Sequence, residues 1–261
     1  MQDRSDNPVA IVTGAGTGIG AACALALARK GYRVAVNFNR SHKQAQEVVA
    51  QCQQEAVAAM PLQGDIAKDE DCRRIVAETI EAWGRIDILV NNAGVTCYVD
   101  QADLEGLNKD DFERIMGVNI SGTYQMIRAA APYLKVSDNA AVVNVSSHSG
   151  ISGIGSSMAY AASKGALNTM TLSLARSLAP SVRVNAVCPG FVDTDWMSAK
   201  LEAEELAAFK DKVAAISPLQ RIVTPADVAE AVCWFGIEAR SITGQLLVID
   251  GGTHLTTGNP L

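Results

Sequence analysis

Short apolar runs rich in valine and isoleucine alternate along this chain with longer stretches whose apolar residues recur at helical spacing. Strands buried on both faces of a parallel sheet read as short, continuous apolar runs, and amphipathic stretches between them are typical of the helices that connect parallel strands. The alternation therefore predicts repeated strand–helix units. The predicted strands are Val9–Thr13, Val34–Phe38, Ala58–Gln63, Ile88–Asn91, Ala141–Ser146, Val182–Val187 and Leu246–Ile249.

The predicted helices lie between and after these strands, and they begin near Ile19, Lys43, Asp69, Asp110, Tyr160, Glu202 and Pro225. The last helix has the clearest start signal, because Thr224 can act as its N-cap and proline is tolerated in a first turn. The pattern predicts an α/β fold, a single-domain Rossmann-type doubly wound parallel sheet of about seven strands with helices on both faces. No repeat or linker-like stretch divides the chain, so one domain over residues 1–261 is expected.

Residues 191–217 interrupt the alternation and carry Trp196 and Met197 just before a strongly charged helix. An excursion after the carboxyl end of a strand often covers a ligand crevice, because ligands bind at that end of a parallel sheet. We expect a lid-like segment here. An ordinary surface helix is the alternative.

The composition, 48% hydrophobic and 19% charged residues with 21 glycines, suits a sizeable core. A net charge of −6 without a basic block argues against nucleic-acid binding. The six cysteines form no C-x-x-C pair and the three histidines are far apart, so neither disulfides nor a metal site is expected. No apolar run reaches the roughly 18 residues of a membrane span, and the first residues do not resemble a signal peptide. A cytoplasmic protein that does not bind membranes is expected.

A glycine-rich turn, TGAGTGIG at residues 13–20, joins the first strand to an alanine-rich helix. Glycines allow a sharp turn and let the backbone approach a phosphate, while the helix N-terminus presents free N–H groups to the anion. The turn therefore predicts dinucleotide binding, with a purely structural turn as the alternative.

The end of the second strand bears on which dinucleotide is preferred. NAD-binding proteins of this kind place an acid there to bond the ribose 2′-hydroxyl. Residues 36–41 contain no carboxylate, and Arg40 supplies a cation that would attract a 2′-phosphate. The sequence therefore predicts that NADP(H) is preferred to NAD(H). The alternative is that NAD(H) is the cofactor and that Arg40 is an ordinary surface charge.

A tyrosine and a lysine at residues 160 and 164, within the stretch YAASKG, follow Ser147. Residues four apart lie on one face of a helix, so Tyr160 and Lys164 can point into one cleft. The unperturbed pKa of a phenol is about 10, and lowering it toward 7 requires about 4 kcal/mol of differential stabilisation. One lysine rarely supplies so much, but a lysine together with an oxidised nicotinamide ring can. The pattern predicts an acid–base tyrosine, although the spacing alone also fits an exposed pair.

These motifs together resemble the short-chain dehydrogenase/reductase family over essentially the whole chain. Residues 13–20 fit that family's T-G-x-x-x-G-x-G turn, and residues 91–94 fit its N-N-A-G motif. Residues 189–194 fit the segment that contacts the nicotinamide half of the cofactor, and residues 244–252 fit the last strand and its exit. The family's four catalytic positions are matched by Asn119, Ser147, Tyr160 and Lys164.

The resemblance implies a role for each catalytic residue. Tyr160 exchanges a proton with the substrate oxygen, and Lys164 lowers its pKa while bonding the nicotinamide ribose. Ser147 holds the carbonyl oxygen, and Asn119 orients a water that links the lysine to solvent. The implied cofactor-binding residues are Gly14, Thr17, Gly18, Ile19, Gly20, Arg40, Ser41, Asp65, Ile66, Asn92, Ala93, Gly94, Tyr160, Lys164, Pro189, Gly190, Val192 and Thr194. The expected substrate pocket includes Ser149, Phe191, Trp196 and Met197.

Several of these positions have alternative interpretations. The asparagines at 91–92 could simply tie two strands together, and Asp65 could cap the next helix. Ser146 competes with Ser147, although strand alternation points the two side chains in opposite directions. His148 could be a general base, but the tyrosine already fills that role. Many NADP-dependent family members carry a basic residue inside the glycine turn, and this chain does not.

The resemblance implies an NAD(P)(H)-dependent oxidoreductase, a carbonyl reductase or alcohol dehydrogenase that moves hydride between nicotinamide and a ketone or secondary alcohol. The closest likeness is to 3-oxoacyl-acyl-carrier-protein reductases, and sugar or polyol dehydrogenases are the alternative substrate class. A catalytically inactive nucleotide-sensing or scaffold protein of the same fold is a further alternative, which the intact catalytic set disfavours. A homotetramer is expected, assembled through helices near residues 110–130 and 160–178 and the last strand.

Overall fold

The computed structural model describes residues 7–194, 196 and 202–256 of the 261-residue chain. In this part of the chain seven parallel strands form one sheet. The strands are β1 (Val9–Val12), β2 (Arg33–Phe38), β3 (Ala59–Gln63), β4 (Ile88–Asn91), β5 (Ala140–Val145), β6 (Val182–Pro189) and β7 (Leu246–Ile249). They lie in the order β3-β2-β1-β4-β5-β6-β7. The predicted Rossmann-type fold class is confirmed, while the extent of the domain stays a prediction.

Helices connect the strands. They are α1 (Gly18–Arg29), α2 (His42–Gln54), α3 (Asp69–Trp83), α4 (Lys109–Met116), α5 (Thr123–Leu134), α6 (Ser149–Ser152), α7 (Met158–Leu178), α8 (Ala203–Ile216) and α9 (Pro225–Cys233). A π-helix over Gly117–Gly122 joins α4 to α5 without a break, and a second π-helix, Trp234–Glu238, extends α9. Among the described residues, no helix is long and apolar enough to cross a membrane.

The sheet has an apolar core on each face. One core is formed with α1, α2 and α9, and it contains Leu27, Val48 and Val232. The other is formed with α3, α5 and α7, and it contains Ile75 and Ile127. Because both faces are covered, the central strands are buried throughout, which explains why their sequences are continuous apolar runs.

The order of the strands determines where a ligand can bind. The chain runs outward from β1 to β3 on one side of the sheet and from β4 to β7 on the other. Connections that leave the carboxyl ends of β1 and β4 in opposite directions open a crevice at that edge, which is the usual ligand site of such sheets. The turn at residues 13–20 and the N-N-A-G residues 91–94 both lie at this edge.

The structure differs from the predicted helix limits in three places. Helix α7 begins two residues earlier than expected, because the Ser157 side chain accepts a hydrogen bond from the Tyr160 N–H and caps it. The helix expected near residues 110–130 begins at Lys109 and contains a π-helix before α5. The short helix α6 was not predicted, since its glycines and serines resemble a loop.

Candidate active site

Two glycines of the first turn have backbone conformations that favour glycine. Gly14 has φ +60° and Gly18 has φ +57°. A Cβ atom at Gly14 would lie 2.8 Å from the Cα atom of Ala93. The turn therefore packs directly against the N-N-A-G segment, and a larger residue at Gly14 would separate them.

The start of α1 fits an anionic group. Thr17 is its N-cap residue but makes no side-chain capping bond, and the first turn carries no acid. Unsatisfied N–H groups and the positive end of the helix dipole therefore meet at this point. Asn92 holds the turn in place, since its amide donates to the carbonyl oxygens of Thr13 and Gly14, both at 3.0 Å. These residues fit the pyrophosphate of a nicotinamide dinucleotide, with Gly18, Ile19 and Gly20 on the first turn of the helix.

Asn37, near the end of β2, lies in the region where NAD-binding proteins of this kind carry an acid. Its amide donates to the carbonyl oxygens of Leu62 and Gly64 at 3.1 and 3.2 Å, and its Oδ1 accepts from the N–H of Gly14 at 3.3 Å. Arg40 lies three residues further on, is exposed and has no acidic partner among the described residues. The side chain of Asn37 is thus committed to the protein, and Arg40 is the nearby cation.

Three further residues that were predicted to contact the cofactor lie after β2 and β3. Ser41 lies against the glycine turn, because a Cβ atom at Gly16 would meet its Oγ. Asp65 follows β3, and its Oδ1 accepts from the N–H of Ala67 at 3.0 Å. It therefore stabilises the turn before α3 rather than capping the helix, whose N-cap is Lys68. Ile66 is buried.

Tyr160 and Lys164 lie one turn apart on α7, with the lysine Nζ 5.6 Å from the centre of the tyrosine ring. Burial lowers the pKa of Lys164 to about 8, and its Nζ donates to the carbonyl oxygen of Val145 at 2.8 Å. Burial raises the pKa of Tyr160 to about 12, although a hydrogen bond with the Ser147 side chain lowers it. The protein alone does not supply the acidification expected from Lys164, because burial outweighs the other influences on Tyr160.

The two consecutive serines after β5 have different surroundings. Ser147 is a hydrogen-bond partner of Tyr160, and its hydroxyl also donates to the Ser149 hydroxyl at 3.1 Å. Ser146 is buried beneath α7, where its hydroxyl lies 2.6 Å from Asn168 Oδ1. Ser147 is therefore the serine beside the tyrosine.

Asn119 lies in the π-helix between α4 and α5 and is buried. Its Oδ1 accepts from the N–H of Val95 at 2.8 Å, and its amide donates to the Val95 carbonyl at 3.1 Å and the Ser163 hydroxyl at 2.9 Å. The side chain is thus fully used in holding the loop after β4 against α7. Its backbone carbonyl accepts from the Thr123 hydroxyl at 3.0 Å. Gly94 lies between Asn119 and Lys164, since a Cβ atom there would be 3.4 Å from the Asn119 Oδ1 and 3.7 Å from the Lys164 Nζ.

The exit of β6 lies at the same edge. Pro189 accepts a hydrogen bond from the His148 N–H at 2.8 Å, and Gly190 donates to the Ile249 carbonyl at 2.9 Å. Val192 forms a parallel bridge with Val223. Thr194 lies over the glycine turn, because a Cβ atom at Gly18 would be 3.5 Å from its methyl carbon.

The expected substrate side is lined by aromatic rings. Trp196 packs edge-on against Tyr160, with ring centres 6.3 Å apart. Phe191 packs against Phe209 of α8 at 5.1 Å. Tyr98, which the sequence did not single out, donates from its hydroxyl to the Trp196 carbonyl at 3.4 Å. The predicted pocket residue Met197 lies outside the described residues.

The ring of His148 lies beside that of His254. Its ring centre is 6.3 Å from that of His254, whose Nδ1 pairs with Asp250 at 2.9 Å.

The part of the chain that the structure describes contains no group of three or more histidine, cysteine or acidic residues able to hold a metal ion.

Sequence reasoning missed Asn37, Tyr98 and Asn168 among the residues that surround this site. An asparagine ending a buried strand is a signal for Asn37, and an asparagine one turn beyond Lys164 is a signal for Asn168, since buried amides are normally hydrogen-bonded. Nothing in the local sequence indicates Tyr98, because its position depends on how two distant loops meet.

Comparisons with known proteins agree with this arrangement. A family model described as enoyl-(acyl carrier protein) reductase matches residues 14–254. The chain is 41% identical over 253 residues to "Granaticin polyketide synthase putative ketoacyl reductase 2" of Streptomyces violaceoruber, covering 97% of this chain and 98% of the relative. It is 32% identical over 251 residues to "3-oxoacyl-[acyl-carrier-protein] reductase FabG" of Staphylococcus epidermidis, covering 95% and 100%.

A solved structure shows the same architecture. It is described as a "putative short-chain dehydrogenase/reductase from Burkholderia xenovorans", and it superimposes on this chain with a TM-score of 0.89. The two sequences are 39% identical, and the match covers 96% of this chain and 99% of the other. Sequence and structure thus agree along almost the full length of the relatives. The chain therefore belongs to the short-chain dehydrogenase/reductase family of oxidoreductases.

Proposed function

We propose that this protein is an NADP(H)-dependent carbonyl reductase that interconverts ketones and secondary alcohols. The observation that carries the proposal is the meeting of Tyr160, Lys164 and Ser147 at the sheet edge that also holds the glycine turn. A phenol, an ammonium group and a hydroxyl at the mouth of a dinucleotide crevice suit proton transfer coupled to hydride transfer. The geometry serves either direction of the reaction.

In the direction of reduction, Ser147 donates a hydrogen bond to the substrate carbonyl oxygen and orients it toward Tyr160. The nicotinamide, when bound, supplies hydride at its C4 atom. Tyr160 gives its phenolic proton to the same oxygen, and the phenolate left behind is stabilised by the ammonium group of Lys164. Much of the rate comes from holding these groups in line in a buried site.

Lys164 and Asn119 return the proton. With a pKa that burial lowers to about 8, Lys164 can give up a proton near neutral pH, as a relay group must. The carbonyl oxygen of Asn119 binds the water that connects Lys164 to solvent. The wall on the β6 side of the crevice holds the nicotinamide so that one face of its ring is presented to the substrate. This wall is formed by Pro189, Gly190, Val192 and Thr194.

An assay of NADPH oxidation tests this function. The purified protein is offered a panel of β-ketoesters, quinones, 3-oxoacyl thioesters, sugars and steroid ketones, and NADPH absorbance is followed. We expect turnover with at least one ketone and the reverse reaction with its alcohol. Nucleotide binding without turnover across the whole panel would contradict the proposal.

For the substrate class, we propose a 3-oxoacyl compound or a related polyketide-type ketone rather than a sugar. Two relatives support it by their names, one a ketoacyl reductase and one a 3-oxoacyl-acyl-carrier-protein reductase. The aromatic rings of Trp196 and Phe191 on the expected substrate side favour an apolar substrate over a polyol.

NADP(H) is proposed as the preferred cofactor because Arg40 lies near the glycine turn without an acidic partner in the described chain. We expect Arg40→Ala to lower kcat/KM for NADPH by about 10–100-fold, the effect of losing one charged hydrogen bond. The value for NADH should change by less than about threefold, since NADH has no 2′-phosphate for the arginine to bind. Steady-state kinetics with both nucleotides measure this. Equal losses with the two cofactors would remove Arg40 from phosphate recognition.

We propose that the described part of residues 191–217 covers the substrate. Phe191 packs on Phe209, and Asp193 pairs with Lys210 at 2.6 Å, so α8 is attached to the exit of β6. None of the described residues of α8 is buried, which is typical of an element packed loosely on the body of a protein.

A homotetramer is proposed from apolar groups exposed on the expected contact elements. Tyr124 on α5, Leu172 on α7 and Leu247 on the edge strand β7 are 46%, 44% and 37% exposed. Apolar side chains exposed on packed helices and on an open sheet edge are typical of subunit interfaces. We expect sedimentation velocity at micromolar concentration to give the mass of four chains. A monomer would contradict this assembly, and Leu172→Glu should shift the protein toward smaller species.

A further inference from the structure

One face of α7 carries a line of polar residues that continues beyond the catalytic pair. Tyr160, Lys164, Asn168 and Thr171 follow one another at helical spacing, and each contacts β5 or the segment that leaves it. Lys164 Nζ bonds the Val145 carbonyl, and Thr171 accepts from the Asn144 amide at 2.9 Å. The helix and the strand are thus paired turn by turn.

Asn168 is the buried amide at the centre of this line. Its Oδ1 accepts from the Ser146 hydroxyl at 2.6 Å and from the Cys188 thiol at 3.7 Å, and its Nδ2 donates to the Gly150 carbonyl at 3.2 Å. The Ser146 hydroxyl also lies 3.2 Å from the Lys164 carbonyl. One side chain therefore joins the segment after β5 and the end of β6 to the helix that carries the catalytic lysine.

Each of these three partners is the immediate neighbour in sequence of a residue of the site. Ser146 precedes Ser147, Cys188 precedes Pro189, and Gly150 follows Ser149. The last contact is especially close, because a Cβ atom at Gly150 would lie 2.5 Å from the carbonyl carbon of Lys164. A shift of α7 along its axis would move Tyr160 and Lys164 relative to both segments at once.

We propose that Asn168 is a positioning residue of this active site, whose amide fixes the helix bearing Tyr160 and Lys164 against the segments bearing Ser147, Ser149 and Pro189. The inference rests on the proposed function. An apolar residue of similar size would leave the Gly150 carbonyl without this donor and would weaken the hold on Ser146. A misplacement of about 1 Å can lower a rate by about 10²-fold. Loss of these bonds would therefore slow the reaction by displacing Tyr160, although Asn168 itself does not contact the substrate.

Asn168→Leu tests the proposal, and Ser146→Ala is the milder variant in case the first folds poorly. We expect Asn168→Leu to lower kcat by about 10–100-fold while KM for the nucleotide changes by less than about threefold. Ser146→Ala should lower kcat by about 3–10-fold, because the asparagine keeps its bond to Gly150. Unchanged kcat in both folded variants would overturn the proposal.

A second measurement does not depend on substrate. The groups that titrate next to Lys164 are Tyr160 and Cys188, and burial raises the pKa of these two to about 12 and about 11. NMR titration of the lysine side-chain carbon, assigned by comparison with Lys164→Met, then follows Lys164 alone. When α7 loosens, water reaches the ammonium, so its pKa should rise by at least about 0.5 unit in Asn168→Leu.

Two control variants separate positioning from stability. Thr171→Val removes the bond to Asn144 farther along the helix, and it should lower the melting temperature without altering the Lys164 titration. Ser177→Ala removes an exposed hydroxyl that donates to the Ser173 carbonyl on the same helix, and it should alter neither. If Asn168→Leu behaves like Thr171→Val, its role is structural and the proposal is wrong. If no ketone is reduced by the wild type, the Lys164 titration still decides between these outcomes.

Discussion

Replacing Tyr160 by Phe is expected to lower kcat for ketone reduction by about 10²–10⁴-fold, the usual contribution of a general acid. The phenol is half-buried beside Ser147, and its ring centre lies 5.6 Å from the Lys164 Nζ. Nucleotide binding should change by less than about threefold, because the phenyl ring keeps the packing of Tyr160 against Trp196. Single-turnover kinetics and a fluorescence titration with NADPH measure the two quantities.

A matched control is Tyr133→Phe, which removes a phenolic hydroxyl from a half-exposed tyrosine on α5. It should leave kcat unaffected. Retention of more than about a tenth of wild-type kcat by Tyr160→Phe would contradict the proposed proton transfer. In that case Ser147 or His148 would become the acid to examine.

Replacing Lys164 by Met is expected to abolish turnover and yet to stabilise the folded protein at neutral pH. Burial lowers the pKa of Lys164 from 10.5 to about 8, so keeping this group charged in the folded state costs roughly 3 kcal/mol. Methionine has a similar shape and no charge to bury. It loses one hydrogen bond to Val145, worth about 1 kcal/mol, so a net gain of about 2 kcal/mol in unfolding free energy is expected.

The dependence on pH identifies the cause. Because the folded pKa lies below the unfolded one, the unfolded chain binds more protons between these values, and the wild type gains stability as pH rises from about 8 to 10.5. Its deficit relative to Lys164→Met should therefore shrink over this range. Equilibrium urea unfolding at a series of pH values measures it, and Lys135→Met, at an exposed lysine, is the control that should show no such trend. A variant less stable than the wild type at neutral pH would disprove the explanation.

The positions of the strands could be predicted because burial on both faces leaves a simple pattern. The runs at Ile88–Asn91 and Leu246–Ile249 agree with the structure residue for residue, and the other predicted limits differ by one or two residues. Helix limits were less certain where local signals compete. The glycines and serines of residues 149–157 read as a loop, yet Ser149–Ser152 form α6, where Gly150 allows close contact with α7.

The candidate site could be located from the sequence because its motifs have fixed spacing and their segments all end at one sheet edge. What each polar side chain bonds could not be predicted. Asn119 matched a family position, but its amide holds the loop at Val95 and so is not free to bind a water. Tyr160 and Lys164 were expected to influence each other, whereas in the protein alone burial dominates the pKa of both.

The sequence by itself determined the alternating elements, the parallel sheet, the family and the residues that meet at its carboxyl edge, because periodicity and short motifs are local properties of a chain. Only the tertiary structure decided which groups are desolvated and which amides are committed to the protein. Those properties depend on atoms brought together from distant segments, as when Asn168 joins the exits of β5 and β6 to the catalytic helix. Hydrogen bonds and desolvation act over a few ångströms in space, and no spacing along the chain records them.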